Sequence, residues 1–488
     1  MPNVPQSFDG RRPNVLFIIA DDLGYGDLGL FNPLVHTPNL DQLAAQGMCL
    51  RQHYTASPIC APARAGLLTG RYPHRTGAIT QHEAHGLDRI GLGERTIADA
   101  FGHAGYATGL IGKWHNGTFD SRFEPNARGF QEFVGFCGGW SDYYKYKLRV
   151  NQSYRASNGA YLTDVLSDEA IAFLGRHRAR SFFLKLAYSA PHSPFQAPQE
   201  MVAKYLEMGF NRVVATTYAM IEIMDHGIGS VLQCLEDLGL DKNTMVLFTS
   251  DNGPAFFNPP YMLEPGEATL NERFNCGLKG AKGYVEEGGI RVPMIVRYPG
   301  HIVAGQSSEE LVHFTDWYPT LLGMAGIAPP AGPALDGQDV GALLTGGRLR
   351  AAVRRFWQWN FYLPYIGTNA AMRDGAWKLI RPTIAGTRFF NKDLYASEAD
   401  VARMQAFVEA EFRHKQDPER PLELIPVPRL RFPPPEPVQL YDLANDPGEL
   451  CDLAARHPER ASRMLRELET WFEEVEAERL TALGVITA

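Results

Sequence analysis

The stretch Asn14-Val15-Leu16-Phe17-Ile18-Ile19-Ala20-Asp21-Asp22 decides the fold. Val15 to Ala20 is an unbroken apolar run, which reads as a strand buried on both faces. It is far short of the roughly 20 residues that a membrane helix needs. Two carboxylates stand at its carboxyl end, and a helical stretch follows at Pro38 to Gln46, with Gly47 as its stop signal.

Three further runs repeat this form. Tyr106 to Gly112 leads to Lys113-Trp114-His115. Ser181 to Tyr188 leads to Ser189-Ala190-Pro191-His192, and Thr244 to Thr249 leads to Ser250-Asp251-Asn252-Gly253. Helical patterns at Leu162 to Leu174 and Arg212 to Leu238 separate the strands. Alternating strand and helix predicts an α/β fold with a large, mostly parallel central sheet flanked by helices. In such sheets the site forms outside the carboxyl ends of the strands, where all four runs deliver polar residues.

After about residue 365 the composition changes. Ala371 to Ile380 and Val438 to Leu443 read as antiparallel strands. The chain ends in an amphipathic helix with Leu465, Leu468, Phe472 and Val475 on one face. Residues 1–365 are therefore expected to form the catalytic domain. Residues 366–488 are expected to form a smaller α+β subdomain with an antiparallel sheet. A charged, Pro-rich segment at about Arg388 to Pro437 reads as an insertion, a lid or an oligomer contact.

The chain has 488 residues, of which 47 are basic and 55 acidic, for a net charge of −8. With 45% hydrophobic and 21% charged residues it is not a disordered chain. The mild acidity and the lack of a basic run argue against a nucleic-acid partner. No apolar segment precedes Val15, so neither a signal peptide nor a membrane span is expected, and the expected address is the cytoplasm. The six cysteines show no paired spacing, which predicts free thiols, mostly buried, and argues against zinc.

One of them stands out. In Ser57-Pro58-Ile59-Cys60-Ala61-Pro62-Ala63-Arg64-Ala65-Gly66-Leu67-Leu68-Thr69-Gly70-Arg71, Pro62 suits a first helical turn and Gly70 a helix end. Cys60 then sits where free backbone N–H groups and the helix dipole favour an anion. Arg64 lies four residues on and faces the same way. A lone cysteine is more often structural than reactive.

Here the C-x-P-x-R core, followed by Leu68-Thr69-Gly70-Arg71, resembles the signature of formylglycine-dependent sulfatases, in the alkaline phosphatase superfamily. Where that family usually has Ser before the Arg, this chain has Ala63. The resemblance extends over nearly the whole chain. It takes in Pro13 to Gly29, Gly112-Lys113-Trp114-His115, Pro191-His192-Ser193-Pro194 and Ser250-Asp251-Asn252-Gly253. It continues through Gly280-Ala281-Lys282-Gly283, Glu287 to Pro293, Leu440-Tyr441-Asp442-Leu443 and Asp446-Pro447.

Asp21, Asp22, Asp251 and Asn252 end two strands that a doubly wound sheet can place side by side. Four oxygen donors suit a hard cation, Ca²⁺ or Mg²⁺. The resemblance favours Ca²⁺, with Mg²⁺ or Mn²⁺ as alternatives. It also implies a further oxygen ligand from residue 60 once Cys60 has become formylglycine through a formylglycine-generating enzyme. It implies that hydrated formylglycine attacks the sulfur of a small sulfate ester. Lys113, Lys282, Arg64 and the metal then supply fixed positive charge. His192 or Lys282 is the implied proton donor to the leaving alcohol, and His115 the implied base that lets sulfate leave.

Lys113 and His115, two residues apart, point to the same side if their segment is extended. His74, His82 and His85 lie near the motif helix and are candidates to line the pocket, whereas His36, His177 and His457 have no special setting. Lys279 neighbours Lys282, and the family's GKG pattern selects Lys282. Gly138 to Tyr144 is an aromatic stretch that reads either as a stacking surface for a substrate ring or as core.

Two alternatives stand beside the sulfatase reading. Phosphonate monoester or phosphodiester hydrolases of the same superfamily share the cysteine core. They typically carry Asp-His at the second metal motif, where this chain has Asp251-Asn252. The other alternative is a non-catalytic relative that binds sulfate esters with Cys60 unconverted.

Overall fold

The computed structural model describes residues 12–118, 120–256, 271–349, 353–384, 394–417, 419, 426 and 429–483. Ten strands form the large sheet: β1 Asn14–Ala20, β2 Met48–Tyr54, β3 Ala107–Lys113, β4 Glu132–Phe136, β5 Lys147–Val150, β6 Ser153–Ala156, β7 Phe182–Ala187, β8 Thr244–Ser250, β9 Met294–Arg297 and β10 Gln306–His313. Their spatial order is β10-β2-β9-β8-β1-β7-β3-β4-β5-β6. The run β8-β1-β7-β3-β4 is parallel throughout, while β9, β5 and β6 pair antiparallel with their neighbours.

β1 lies at the centre because both of its faces are apolar. Leu16, Ile18 and Ala20 join one core layer, under the helices Pro38–Gln46, Leu162–His177 and Arg212–Asp237. Val15, Phe17 and Ile19 join the opposite layer, under the helices Cys60–Thr69, Ile97–His103 and Trp317–Met324. Every residue of β1 is buried. Burial of a strand with apolar side chains on both faces gains roughly 1.5–3 kcal/mol per large side chain, and no polar edge is left to solvate.

β2, β9 and β10 were not legible as strands. In β2, Met48-Cys49-Leu50-Arg51-Gln52-His53-Tyr54, the pattern is mixed, and only its position between β10 and β9 makes it a strand.

A second sheet of four antiparallel strands is built from β11 Arg355–Gln358, β12 Ala370–Asp374, β13 Trp377–Arg381 and β14 Gln439–Asp442. Ala371 to Ile380 is thus a hairpin and not one strand. Its turn is at Asp374-Gly375-Ala376, and Gly375 takes a φ of 60°, which glycine alone adopts without strain. The second sheet starts at Arg355, earlier than the change of composition near residue 365. The terminal helix Pro458–Ala482 covers it with Met464, Leu468, Trp471 and Val475, and with Leu465 and Phe472 partly buried beside them.

The segment Arg388 to Pro437 falls partly outside the described residues. Its described portion contains the helix Glu398–Gln416, which packs against the short turn Glu83–His85. All six cysteines are free thiols. Only Cys60 is buried; Cys451 is exposed and the other four are half-buried, so the expectation of mostly buried thiols is corrected. Among the described residues no helix is long and apolar enough to cross a membrane.

The two sheets are joined by buried polar contacts. Lys378 Nζ on β13 reaches Glu287 at 2.9 Å and Glu449 at 2.8 Å, all fully buried. Asn369 donates to Gly283 O at 2.9 Å and accepts from Val285 N, fixing the loop that carries Lys282. Lys378→Met would take from Glu287 and Glu449 the buried ammonium they share, leaving Glu287 with Arg291 at 3.7 Å and the Tyr54 hydroxyl. The expected cost is about 3–5 kcal/mol of stability, measured by urea unfolding; an unchanged midpoint would show that the two sheets are held by packing alone.

Candidate functional site

The register of the central strands builds the site. Ala20 pairs with Ser250 across β1 and β8, so the next residues, Asp21 and Asp251, emerge side by side. The ladder extends one step further, with Asp251 N donating to Ala20 O and Asp21 N donating to Ala190 O. Asp22 then turns away with a φ of 64°, a left-handed conformation that Asp tolerates better than most residues. β3 brings Lys113 alongside through β7. Gly112 makes this approach possible, since a Cβ there would stand 1.9 Å from Ala187 O.

Each of the three buried carboxylates has its own cation. Arg64 grips Asp251 Oδ2 with Nε at 2.8 Å and Nη2 at 2.7 Å. Lys113 Nζ reaches Asp21 Oδ2 at 2.5 Å. Lys282 Nζ lies 2.7 Å from Asp22 Oδ1 and 2.8 Å from Asp22 Oδ2. Lys279, its neighbour in the Gly-rich loop, goes instead to the Tyr441 hydroxyl at 3.4 Å. Charges taken out of water survive only when paired and hydrogen-bonded, and this set is paired one to one.

Cys60 is the first residue of the helix Cys60–Thr69, which ends at Gly70 with a φ of 68°. Burial pushes its thiol pKa up, Lys113 and Lys282 oppose that, and Asp21 and Asp251 add to it, so the sulfur sits within their field. Gly283 N donates to Pro58 O at 2.8 Å, and Asn116 Nδ2 donates to Ala61 O at 2.8 Å. These bonds tie the Lys282 loop and the segment after β3 to the two sides of Cys60. Trp359, from the chain that enters the second sheet, packs directly on Ile59 and Cys60.

His192 approaches Asp22 Oδ2 with Nε2 at 3.7 Å, and its Nδ1 donates to Ser193 O at 2.5 Å. Burial and the neighbouring Lys282 push its pKa down, and Asp22 opposes them. Burial works against ionisation of Asp22, yet Lys282 holds its carboxyl below the usual range. Asp21 is pushed up to about 7 by burial and by Asp251. A divalent cation set among these carboxylates would reverse that shift.

The donor set fits such a cation. Asp21 Oδ1 and Asn252 Oδ1 are buried and have no hydrogen-bond partner among the described residues. Asn252 Nδ2 donates to Asp22 Oδ1 at 2.8 Å, which holds its amide beside the same group. Asp21, Asp22 and His192 each offer a ligand atom within 4.8 Å of the others. A second such group joins the exposed His36 and His226 to the buried Glu222. There Lys204 Nζ sits 2.7 and 2.9 Å from the two Glu222 oxygens, which makes that group an ion pair.

His115 departs from the expected geometry. β3 ends at Lys113, and His115 takes a φ of 53°, so the two side chains do not follow strand alternation. Lys113 turns to Asp21, whereas the His115 ring, 3% exposed, turns to Gln81 and Glu83. Gly138 to Tyr144 divides between roles. Tyr143 is core, stacks on Tyr161 and donates to His192 O at 2.9 Å. Trp140 meets Phe412 of the helix Glu398–Gln416.

His74 is buried on Trp471 and Phe472 under the terminal helix, away from the carboxylates. His82 and His85 pack on Phe407. Sequence reasoning passed over Trp359, Gln81 and Glu83. None of them carries a local signal, since each meets the site only through the tertiary fold.

Comparison with known proteins identifies the family. A family model described as Sulfatase matches residues 13–327, and one described as N-sulphoglucosamine sulphohydrolase, C-terminal, matches residues 281–416. The N-acetylgalactosamine-6-sulfatase of Mus musculus is 34% identical over 368 residues, which cover 70% of this chain and 67% of that protein. Arylsulfatase J of Mus musculus is 29% identical over 493 residues, covering 94% of this chain and 75% of that protein. The crystal structure of Ps i-CgsB in complex with k-i-k-neocarrahexaose shares 28% identity at a TM-score of 0.76, covering 95% of this chain and 93% of that one. The matches span both the large sheet, with its cluster of carboxylates around Cys60, and the chain beyond it, and the protein belongs to the sulfatase family of sulfuric ester hydrolases.

Proposed function

We propose that this sulfatase cleaves small aryl, alkyl or sugar sulfate monoesters at Cys60, converted to formylglycine, beside one divalent cation, Ca²⁺. Asp21, Asp22, Asp251 and Asn252 would hold the cation, together with the side chain at position 60. The observation that carries this reading is the three-to-three pairing of buried carboxylates and cations around the Cys60 thiol. A structural cysteine needs no such surroundings.

A cation held there supplies positive charge beside the sulfate oxygens and makes a bound oxygen more acidic. Formylglycine supplies, when hydrated, one hydroxyl to attack sulfur and a second that lets sulfate leave. The remaining work falls to side chains of this chain. Lys113 at Asp21 and Lys282 at Asp22 would place ammonium groups where the bridging oxygen and the sulfate oxygens gain charge. Arg64 holds Asp251 in position and keeps its carboxylate ionised. His192 and Lys282 both reach Asp22, and one of them gives the leaving alcohol its proton. His115 takes a proton in the release step.

A cytoplasmic enzyme would act on a small imported ester and meet a formylglycine-generating enzyme there. The helix Glu398–Gln416, beside the turn at Glu83, would bound the leaving-group side of the pocket.

Four measurements test this. Protein made together with a formylglycine-generating enzyme should yield an aldehyde mass for the Cys60 peptide. An intact thiol would favour the non-catalytic, sulfate-ester-binding alternative. Cys60→Ala should keep the fold and lower turnover of an aryl sulfate on the order of 10⁴-fold or more; turnover at the parent level would sink the assignment. Asp251→Ala should lose one equivalent of cation by elemental analysis. A panel of aryl, sugar and choline sulfates against phosphonate esters separates the sulfatase reading from the phosphonate alternative.

A further inference from the structure

We infer that Glu83 is a positioning residue that works through His115, holding its ring in one tautomer and one orientation. Glu83 lies outside every motif of the sequence, on a short turn after the Cys60 helix. Its side chain is fully buried. Oε1 accepts from Gly139 N at 2.6 Å, a charge-assisted bond that fixes the carboxylate. The same oxygen stands 3.6 Å from His115 Nε2, an ion-pair distance rather than a hydrogen-bond distance. Nε2 also lies 3.2 Å from the backbone oxygen of Gln81.

A carbonyl oxygen can only accept, and a carboxylate can only accept. Both face Nε2, so Nε2 carries the proton and Nδ1 is the lone-pair nitrogen. The tautomer thus follows from the two acceptors, as it does for other histidines oriented by a carboxylate. The carboxylate also favours the charged ring once Nδ1 has taken a proton.

Three further features serve this arrangement. Gly139 lets the parts meet, because a Cβ there would stand 2.6 Å from His115 Cε1 and 3.2 Å from Glu83 Oε1. His115 keeps an unusual φ of 53°, and its N–H is bound to Cys137 O at 3.0 Å, which points the ring at the turn. The turn is held from behind by the helix Glu398–Gln416: Glu411 Oε1 accepts from Ala84 N at 3.2 Å, and Phe407 stacks on His85 with ring centres 4.3 Å apart. That helix would therefore influence the reaction through this turn.

The inference rests on the reading that His115 takes a proton in turnover. Its first test needs no variant. ¹⁵N-histidine NMR of the purified enzyme at pH about 9, above the ordinary histidine range, should show His115 protonated at Nε2. The signal is assigned by its loss in His115→Ala. A proton on Nδ1 would overturn the inference.

The second test compares steady-state constants. Glu83→Gln should lower kcat about tenfold to a hundredfold with KM changed little, and Glu83→Asp should restore part of the loss. Parent kcat in Glu83→Gln, with His115→Ala impaired, would overturn the inference and leave the role of His115 standing. Parent kcat in both would overturn the role of His115 itself, and the inference with it. A rise in KM matching the loss in kcat/KM would mean that Glu83 shapes the substrate pocket and does not act through His115.

Discussion

Three carboxylates lie side by side at the end of a central parallel sheet, out of reach of bulk water. The register that pairs Ala20 with Ser250 puts them there, and much of the structure around the site is arranged to make that tolerable. An unpaired buried carboxylate would cost several kcal/mol and would take up a proton instead. Arg64 therefore comes from the helix opposite, Lys113 from the end of β3 and Lys282 from a distant loop, one for each carboxylate. Burial and the proximity of Asp251 still push Asp21 up to about 7, which is the remaining imbalance that a divalent cation would relieve.

The second sheet is part of the same solution. Lys282 can stay at Asp22 only if its loop is fixed, and Asn369 fixes it through Gly283 and Val285. Trp359 packs in the same buried cluster as Ile59 and Cys60. The helix Glu398–Gln416 braces the turn that orients His115. The smaller unit thus supplies rigidity to a site whose chemical groups come from the larger one. Sites held by packing on several sides keep their geometry to within the fraction of an ångström that catalysis needs.

Much of this was legible residue by residue. Val15 to Ala20 announced a strand buried on both faces, and the polar groups after four such runs marked the sheet edge where a site forms. Pro62 and Gly70 bracketed the helix behind Cys60. The strands β2 and β10 were not legible, because their residues are neither alternating nor continuously apolar, and β9 was not because its apolar run, Met294-Ile295-Val296, is only three residues long. Ala371 to Ile380 looked like one strand although Asp374-Gly375 is a hairpin turn signal, since the alternation runs across it. His115 was placed with Lys113 on the assumption of an extended segment, which a single left-handed residue overturns.

What the sequence determined by itself is the kind of chemistry: the residue types at strand ends, a cysteine and an arginine one helical turn apart, and the order of the motifs. These are local facts, because the periods of strand and helix and the reach of a cap extend over only a few residues. What the tertiary structure alone decided is which charge meets which. Asp22 and Lys282 are 260 residues apart in the chain, and Arg64 and Asp251 are 187 apart. Glu83, Gln81 and Trp359 have no place in any motif. Their roles arise only when strand register and helix packing fix distances that the chain itself leaves free, and hydrogen bonds and ion pairs at 2.5–3.5 Å depend on those distances more steeply than on sequence.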